Sequence, residues 1–189
     1  MRRHCVLLIL LPLLPFTNLA AAAPLNYSET IRGDLPGNLN PLPIFAFGVG
    51  LNTISGRLGI DASGTDFDSF AFVVPVGLRL IAGQVEMNDV QGDITHGGWR
   101  LHSDSAAYIS GPLLAVYSPR SPGVTELKAP LNPGLYNMSS SAFALIVIGG
   151  ISSTADYVFT FTLVPEPSTF ALVASSLVTL SLIRRRRPL

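Results

Sequence analysis

Apolar residues in the middle of the chain, residues 23–164, come in short runs that glycine, proline, asparagine and aspartate interrupt. Such runs between turn-forming residues are typical of strands, and no repeat with the helical period of 3.6 residues stands out. The pattern therefore predicts an all-β fold, an antiparallel β-sandwich of jelly-roll-like topology. We predict strands over residues 44–49, 52–58, 69–74, 78–88, 99–102, 113–117, 135–138, 142–148 and 156–163.

Alternation within the runs indicates which side chains face the core. In the last run Tyr157, Phe159 and Phe161 alternate with Thr160 and Thr162. Successive side chains of a strand point to opposite faces, so this alternation predicts a half-buried strand. The run that begins at residue 69 has the same alternation, and we expect it to be half-buried as well.

The N-terminus has the order of a secretory signal peptide. Two arginines follow the first methionine, residues 6–16 are an apolar run with two prolines, and a stretch of alanines comes next. An apolar run of 11 residues is too short to span a bilayer. We predict a signal helix over residues 1–22, which signal peptidase removes by cutting after Ala22, with Ala20 at the second small-residue position. The single cysteine, Cys5, leaves with it.

The C-terminus ends in an apolar segment and a basic cluster. Residues 170–183 contain no charge, and four arginines follow: Arg184, Arg185, Arg186 and Arg187. We predict a transmembrane helix over about residues 168–183, because the flanking polar residues and arginine stems extend the short apolar segment. Basic flanks stay cytoplasmic, so the body is expected outside the inner membrane, which agrees with the signal peptide.

The motif Pro165, Glu166 and Pro167, followed by the apolar segment and the arginines, resembles the PEP-CTERM sorting signal of Gram-negative bacteria. The resemblance implies recognition by exosortase, a membrane-embedded enzyme that is thought to cut near the motif. Such proteins are released or attached outside the cell, often in bacteria that make exopolysaccharide. A plain membrane anchor is the alternative. The expected organisation is a signal peptide (1–22), a β-sandwich domain (23–164) and a sorting segment (165–189).

The body resembles the bacterial pre-peptidase C-terminal domain over residues 28–80. The resemblance rests on glycine-rich turns at 33–38 and 48–56, and on an Asp-x-Asp-x-Phe-x-Phe-x-Val-Pro-x-Gly pattern at 66–77. It implies a small β-sandwich of the kind that accompanies secreted enzymes as an accessory module. Some members of that family bind calcium or polymers.

Clustered acidic residues offer a candidate calcium site. Asp61, Asp66 and Asp68, with Glu29 and Asp34 upstream, can supply the oxygen atoms that Ca²⁺ prefers. Their spacing fits neither an EF-hand nor a repeat-type calcium motif. The alternative is that these aspartates cap turns and keep a strand edge solvated. No other cofactor is expected.

A second candidate is the polar and aromatic patch of His96, Trp99 and His102. Trp99 would stack on a sugar ring, or the two histidines would hold a metal ion. No third ligand is evident nearby, and a tryptophan at the start of a strand more often lies in the core.

Charge and motifs narrow the function further. The body carries six basic and eleven acidic residues, a net charge of −5, so we expect no nucleic-acid partner. Neither a Gly-x-Ser-x-Gly motif nor a phosphate-binding loop is present. We expect a non-enzymatic exported protein of the cell surface, associated with the envelope or the exopolysaccharide matrix. The alternatives are a polysaccharide- or calcium-binding module and an accessory domain of a secreted hydrolase.

Overall fold

The structure, a computed structural model, describes residues 22–37, 40–61, 64–91, 97–117, 123–142, 153–166 and 176. Within these ranges the chain forms strands and one short helix. In chain order they are β1 (Asn26–Ser28), α1 (Glu29–Arg32), β2 (Ile44–Ala46), β3 (Gly50–Asp61), β4 (Gly64–Asp66), β5 (Ser69–Val74), β6 (Leu78–Gln91), β7 (Gly97–Ser103), β8 (Leu113–Tyr117), β9 (Gly123–Glu126), β10 (Gly134–Ala142) and β11 (Ser153–Pro165).

The strands form two sheets that pack as a sandwich. The first sheet has the order β1-β3-β11-β6-β9, with β4 paired to β3, and the second has the order β2-β5-β10-β7-β8. The predicted β-sandwich is confirmed. Both sheets are mixed rather than antiparallel, because β1 lies parallel to β3 and β2 lies parallel to β5. In each parallel pair the chain visits the opposite sheet between the two strands, which supplies the long connection that parallel pairing requires.

Aromatic side chains from the two inner faces fill the core. Phe159 of β11 lies 5.4 Å from Phe70 and 4.7 Å from Trp99, both in the second sheet, measured between ring centroids. Phe161 and Phe72 make a similar contact at 5.1 Å. The predicted inner face of β11 is therefore confirmed, and each such contact adds to the burial of apolar area.

β5 departs from the prediction of a half-buried strand. Ser69 and Ala71, on its outer face, are as fully buried as the phenylalanines on its inner face. Two segments lie over this face. The Ser69 hydroxyl donates to the Gly37 carbonyl (3.0 Å), before β2. Asn137, which pairs with Ala71, donates from its side chain to the Ser105 (3.1 Å) and Ser110 (3.0 Å) carbonyls, between β7 and β8. A loop that covers the outer face does not change the alternation of residues within the strand, so the strand's sequence could not reveal this burial.

The other predicted strands agree with the structure to different degrees. β5 and β8 have the predicted bounds, whereas the predictions missed β1, α1, β4 and β9. Apart from the last residue of β10, the strand expected over 142–148 lies outside the described residues, as do the signal helix and the transmembrane helix. None of the helices in the described ranges has the length and apolar character needed to cross a bilayer.

The strands give the sandwich two distinguishable ends. We call the end at which β11 finishes the tail end, and the opposite end the far end. β6 begins at the tail end, where Leu78 pairs with Pro165, and β3 begins there too, where Gly50 pairs with Leu163. β5 begins toward the far end, because it leads to β6 through a tight turn.

Candidate functional site

Three carboxylates meet beside the start of β5. Glu29 opens α1, Asp34 follows that helix, and Asp68 directly precedes β5. One carboxylate oxygen from each lies within 4.8 Å of the others. We call these three residues the acidic site.

Glu29 is held in place by hydrogen bonds from three directions. Its Oε1 accepts from the Leu35 N–H (3.0 Å) and the Tyr157 hydroxyl (3.2 Å), and its Oε2 accepts from the Arg57 N–H (2.8 Å). These donors come from the loop after α1, from β11 and from β3. The carboxylate therefore joins the N-terminal segment to the first sheet.

Gly56 makes room for this arrangement. It lies in β3 opposite Tyr157, and a Cβ atom at this position would overlap the Glu29 carboxylate and the Tyr157 hydroxyl. A glycine within a strand often marks the close approach of another group. Here the missing side chain lets a carboxylate from outside the sheet reach the hydroxyl of an otherwise buried tyrosine.

Asp68 is the least satisfied member of the site. It has no exposed surface, and within the ranges that the structure describes neither of its carboxylate oxygens has a hydrogen-bond partner. The nearby Tyr157 hydroxyl lowers the pKa of Asp68, but it donates its hydrogen bond to Glu29. A buried carboxylate without partners is strongly unfavourable, so Asp68 requires a proton or a cation.

The pKa values of the site also indicate that Asp68 requires a proton or a cation. Burial, followed by the charges of Glu29 and Asp66, raises the pKa of Asp68 from 3.8 to about 9. Burial also raises the pKa of Glu29, but the N–H groups of Arg57 and Leu35 oppose that effect. Without a cation Asp68 therefore keeps a proton at neutral pH. Burial and the two neighbouring carboxylates raise the pKa of Tyr157 well above 10, which keeps its hydroxyl protonated.

A surface cavity of about 320 Å³ leads to the site from solution. Glu29, Tyr157 and Arg57 line it together with Asp156. The Arg57 guanidinium pairs with Asp156 at 3.2 Å instead of turning to the acidic site. The cavity therefore gives ions and water a route to Glu29, and within the described part of the chain no ion pair neutralises the three carboxylates.

The structure brings together some of the acidic residues that were predicted to bind calcium. Asp68 lies with Glu29 and Asp34, the two upstream acids, and Asp66 acts on Asp68 through its charge. Asp61 is the last residue of β3, and its side chain lies outside the described part, so its role stays a prediction. Sequence reasoning missed Tyr157 and Gly56. A glycine that interrupts the inner face of a long strand was the available signal.

The predicted patch around Trp99 is not a surface patch. Trp99 is only 1% exposed and packs edge-on against Tyr157 and Phe159, so its ring faces are not available to a sugar. His102 lies on the opposite face of β7, opposite Asn137, and its Nδ1 is 3.0 Å from the Gly111 carbonyl. His96 lies outside the described residues. The core interpretation of Trp99 is the correct one.

The predicted sorting motif begins inside the fold. Pro165 is the last residue of β11, one position beyond the expected domain boundary, and the Glu166 N–H donates to the Gly77 carbonyl (2.9 Å). Ala22 is the first described residue. Other residues of the predicted export signals lie outside the described ranges, namely Ala20, Pro167, Arg184, Arg185, Arg186 and Arg187.

No protein-family model and no curated protein matches this chain. Three solved structures are similar to it in part. They are the pre-peptidase C-terminal domain of collagenase from Bacillus anthracis (18% identity, 67% of this chain and 100% of that chain, TM-score 0.40), PliG of Aeromonas hydrophila, a periplasmic inhibitor of g-type lysozyme (9%, 65% and 96%, 0.36), and the NLP core of Drosophila (11%, 60% and 98%, 0.34). At these TM-scores the likenesses assign neither a family nor a function, and the β-sandwich rests on the sheets themselves.

Proposed function

We propose that this chain is an exported, non-enzymatic protein of the cell surface whose β-sandwich binds one calcium ion at the acidic site. The observation that carries the calcium proposal is Asp68. It is fully buried, neither of its oxygens has a hydrogen-bond partner among the residues that the structure describes, and it faces two further carboxylates.

The site suits calcium in its ligands and its dimensions. Ca²⁺ takes oxygen ligands at about 2.3–2.6 Å, so two ligands on opposite sides of one ion are roughly 4.8 Å apart. The three carboxylate oxygens lie within 4.8 Å of one another. The Tyr157 hydroxyl, backbone carbonyls and water can complete the six to eight ligands. Bound calcium would replace the proton on Asp68 and remove the repulsion among the three acids.

Calcium would also strengthen the fold. Glu29 and Asp34 belong to the N-terminal segment, whereas Asp68 belongs to the sandwich. An ion shared by them ties that segment to the sandwich, and the chain has no cysteine outside its predicted signal peptide to make such a cross-link. Calcium modules outside the cell typically bind with dissociation constants on the order of 10⁻⁴–10⁻³ M, and we expect that range here.

The terminal segments support export. The signal-peptide pattern at residues 1–22 and the resemblance of residues 165–189 to a PEP-CTERM tail imply signal peptidase, exosortase and the inner membrane as partners. The final location that we propose is the envelope or the exopolysaccharide matrix. The burial of Trp99 removes the support for sugar stacking, so we do not carry the polysaccharide-binding alternative forward.

Titration calorimetry of the purified chain with Ca²⁺ tests the binding. We expect heat of binding and a higher melting temperature with Ca²⁺, and weaker effects with Mg²⁺, which gives up its water less readily. Asp68→Asn should abolish both effects. Asp104→Asn, which changes an exposed acid outside the site, should leave them intact. Neither heat nor a melting shift in the unaltered chain would end the calcium proposal.

Cell fractionation with mass spectrometry tests export separately. We expect a chain that begins at Ala23 and is recovered from the membrane or from outside the cell. Recovery of the uncut precursor from the cytosol would refute export, whatever calorimetry shows.

A further inference from the structure

The tail end of the sandwich carries the start of the sorting segment. Pro165 pairs with Leu78, and the Glu166 N–H is bonded to the Gly77 carbonyl. The chain is therefore attached to the first sheet up to Glu166. No flexible linker separates the folded body from the Pro-Glu-Pro motif on its N-terminal side.

The N-terminal segment starts at the same end. Asn52, which is fully buried, accepts hydrogen bonds from the N–H groups of Leu25 (2.8 Å) and Gly48 (2.9 Å) through its Oδ1. The backbone carbonyls of Ala22 and Ala23 lie against Gly48, where a Cβ atom would overlap them. Cleavage after Ala22 would thus leave the new N-terminus at the tail end. Both predicted membrane-directed segments join the body there.

The length of the connection limits how far the body can lie from the bilayer. Three residues separate Glu166 from Phe170, where the uncharged segment begins. A step of four residues spans at most about 14 Å when fully extended. Each polar layer of a bilayer is about 5–8 Å thick, as the difference between the full bilayer and its hydrocarbon core. The tail end must therefore lie at or close to the headgroups.

The surface of the tail end has the chemistry that such a position requires. Val76, at the tip of the turn between β5 and β6, is 83% exposed, Leu51 is 56% exposed and Ile81 is 47% exposed. Leu51 and Ala82 pair with Thr162 from its two sides, so Leu51 and Ile81 lie on the strands that flank β11, roughly 10 Å apart.

A basic residue accompanies these apolar side chains. Arg79 pairs with Val164, nearer to the end of the strand. Its side chain is half-buried, and its Nε is buried without a hydrogen-bond partner among the described residues. Side chains that combine apolar surface with a guanidinium suit the boundary between headgroups and acyl chains of an anionic bilayer. The acidic site lies away from it, because Tyr157 precedes Leu163 by six residues of β11, or roughly 20 Å.

We propose that the tail end is a membrane-contact surface, in which Leu51, Val76 and Ile81 touch the headgroup layer of an anionic phospholipid bilayer and Arg79 binds its phosphates. This inference rests on the membrane topology proposed above. It orients the body, with the calcium site on the side that faces away from the membrane.

Single-cysteine labelling tests the contact in the full chain. Cys5→Ser removes the natural thiol, and Val76→Cys then places a fluorophore at the surface. Val124→Cys is the control, since Val124 is also an exposed valine (57%) and lies on β9, paired with Glu86 of β6, away from the tail end. Each variant is exported in a bacterium without exosortase, purified from its membranes and reconstituted in phosphatidylethanolamine–phosphatidylglycerol vesicles that contain a headgroup-labelled quencher.

We expect the label at residue 76 to be quenched several-fold more strongly than the label at residue 124. Adding Arg79→Gln should lower about fivefold the ratio of chains whose tail end contacts the bilayer to chains whose tail end does not. One basic residue near an anionic surface contributes a binding free energy that corresponds to this factor. Equal, weak quenching at both positions in a chain that stays with the vesicles would overturn the contact but leave the anchor standing. A chain that is absent from the membrane fraction would overturn the anchor and the contact together.

Discussion

Asp68→Asn gives the sharpest test of the acidic site, because it keeps the shape of the side chain and removes its titration. The pKa of Asp68 is about 9 in the folded protein, against 3.8 ordinarily. Below pH 3.8 Asp68 is protonated in both the folded and the unfolded chain, so its burial carries no pH-dependent cost. As the pH rises toward 9 the unfolded chain releases the proton and the folded chain keeps it, so the free energy of unfolding falls.

The size of the effect follows from the pKa difference. At pH 7 the pH lies about 3 units above the ordinary pKa, and each unit corresponds to about 1.36 kcal/mol. Burial of Asp68 without calcium therefore lowers the free energy of unfolding by an amount on the order of 4 kcal/mol. Without calcium at pH 7, the Asp68→Asn variant should be more stable than the natural chain by up to this amount. The difference should shrink toward zero near pH 4.

Calcium should reverse the order of stability of the natural chain and the Asp68→Asn variant. A ligand at 100 times its dissociation constant stabilises the folded state by about 2.7 kcal/mol. In the natural chain the ion also displaces the unfavourable proton, whereas the variant has lost one charged ligand. The natural chain should therefore gain stability from calcium and the Asp68→Asn variant should gain little.

Urea unfolding followed by the fluorescence of Trp99, which is the one tryptophan of the chain and is buried, measures both effects. The titrations are run from pH 5 to pH 8 with EDTA or with calcium, and Asp104→Asn serves as the control. If the natural chain and the Asp68→Asn variant have the same pH dependence in EDTA, Asp68 is not held neutral, and the reasoning from its burial is wrong.

Three further substitutions test the packing around the site and the tail end. Gly56→Ala should push the Glu29 carboxylate aside, which lowers the free energy of unfolding by about 1–3 kcal/mol and weakens calcium binding in calorimetry. Gly134→Ala is the control, because a Cβ atom there meets only ordinary contacts, and it should change neither the stability nor the calcium binding. Trp99→Ala should lower the free energy of unfolding by about 3–5 kcal/mol, and a loss under about 1 kcal/mol would contradict its place in the core. Because this variant has no tryptophan, its urea titration is followed by circular dichroism. Asn52→Ala should leave buried N–H groups unpaired and lower the free energy of unfolding by about 1–3 kcal/mol. Hydrogen exchange of the Leu25 amide should become faster, and an unchanged rate would show that Asn52 does not hold the N-terminal segment.

Several elements were predictable from the sequence because their information is local. The period-2 alternation in β11 identifies its inner face, and the bounds of β5 and β8 follow from turn residues on either side. The resemblance of the termini to export signals is likewise local, since it rests on the order of charge, apolar length and small residues, and the signals themselves stay a prediction. Short edge strands such as β1 and β9 carry no such period, and the pairing with a neighbour defines them.

The acidic site depends on residues that are far apart in the chain. The Tyr157 hydroxyl bonds to Glu29 across 128 positions, and only the register of β3 against β11 places Gly56 beneath them. Burial likewise decided the role of Trp99, which composition and spacing left open between a binding surface and the core.

The sequence by itself determined that this chain forms strands, which of their faces are apolar and that both termini resemble export signals, because each depends on neighbouring residues. The tertiary structure alone decided which acids share a site, which face of β5 is covered and that both terminal segments leave from one end. These features arise from contacts between distant segments, whose geometry is set only when the two sheets pack together.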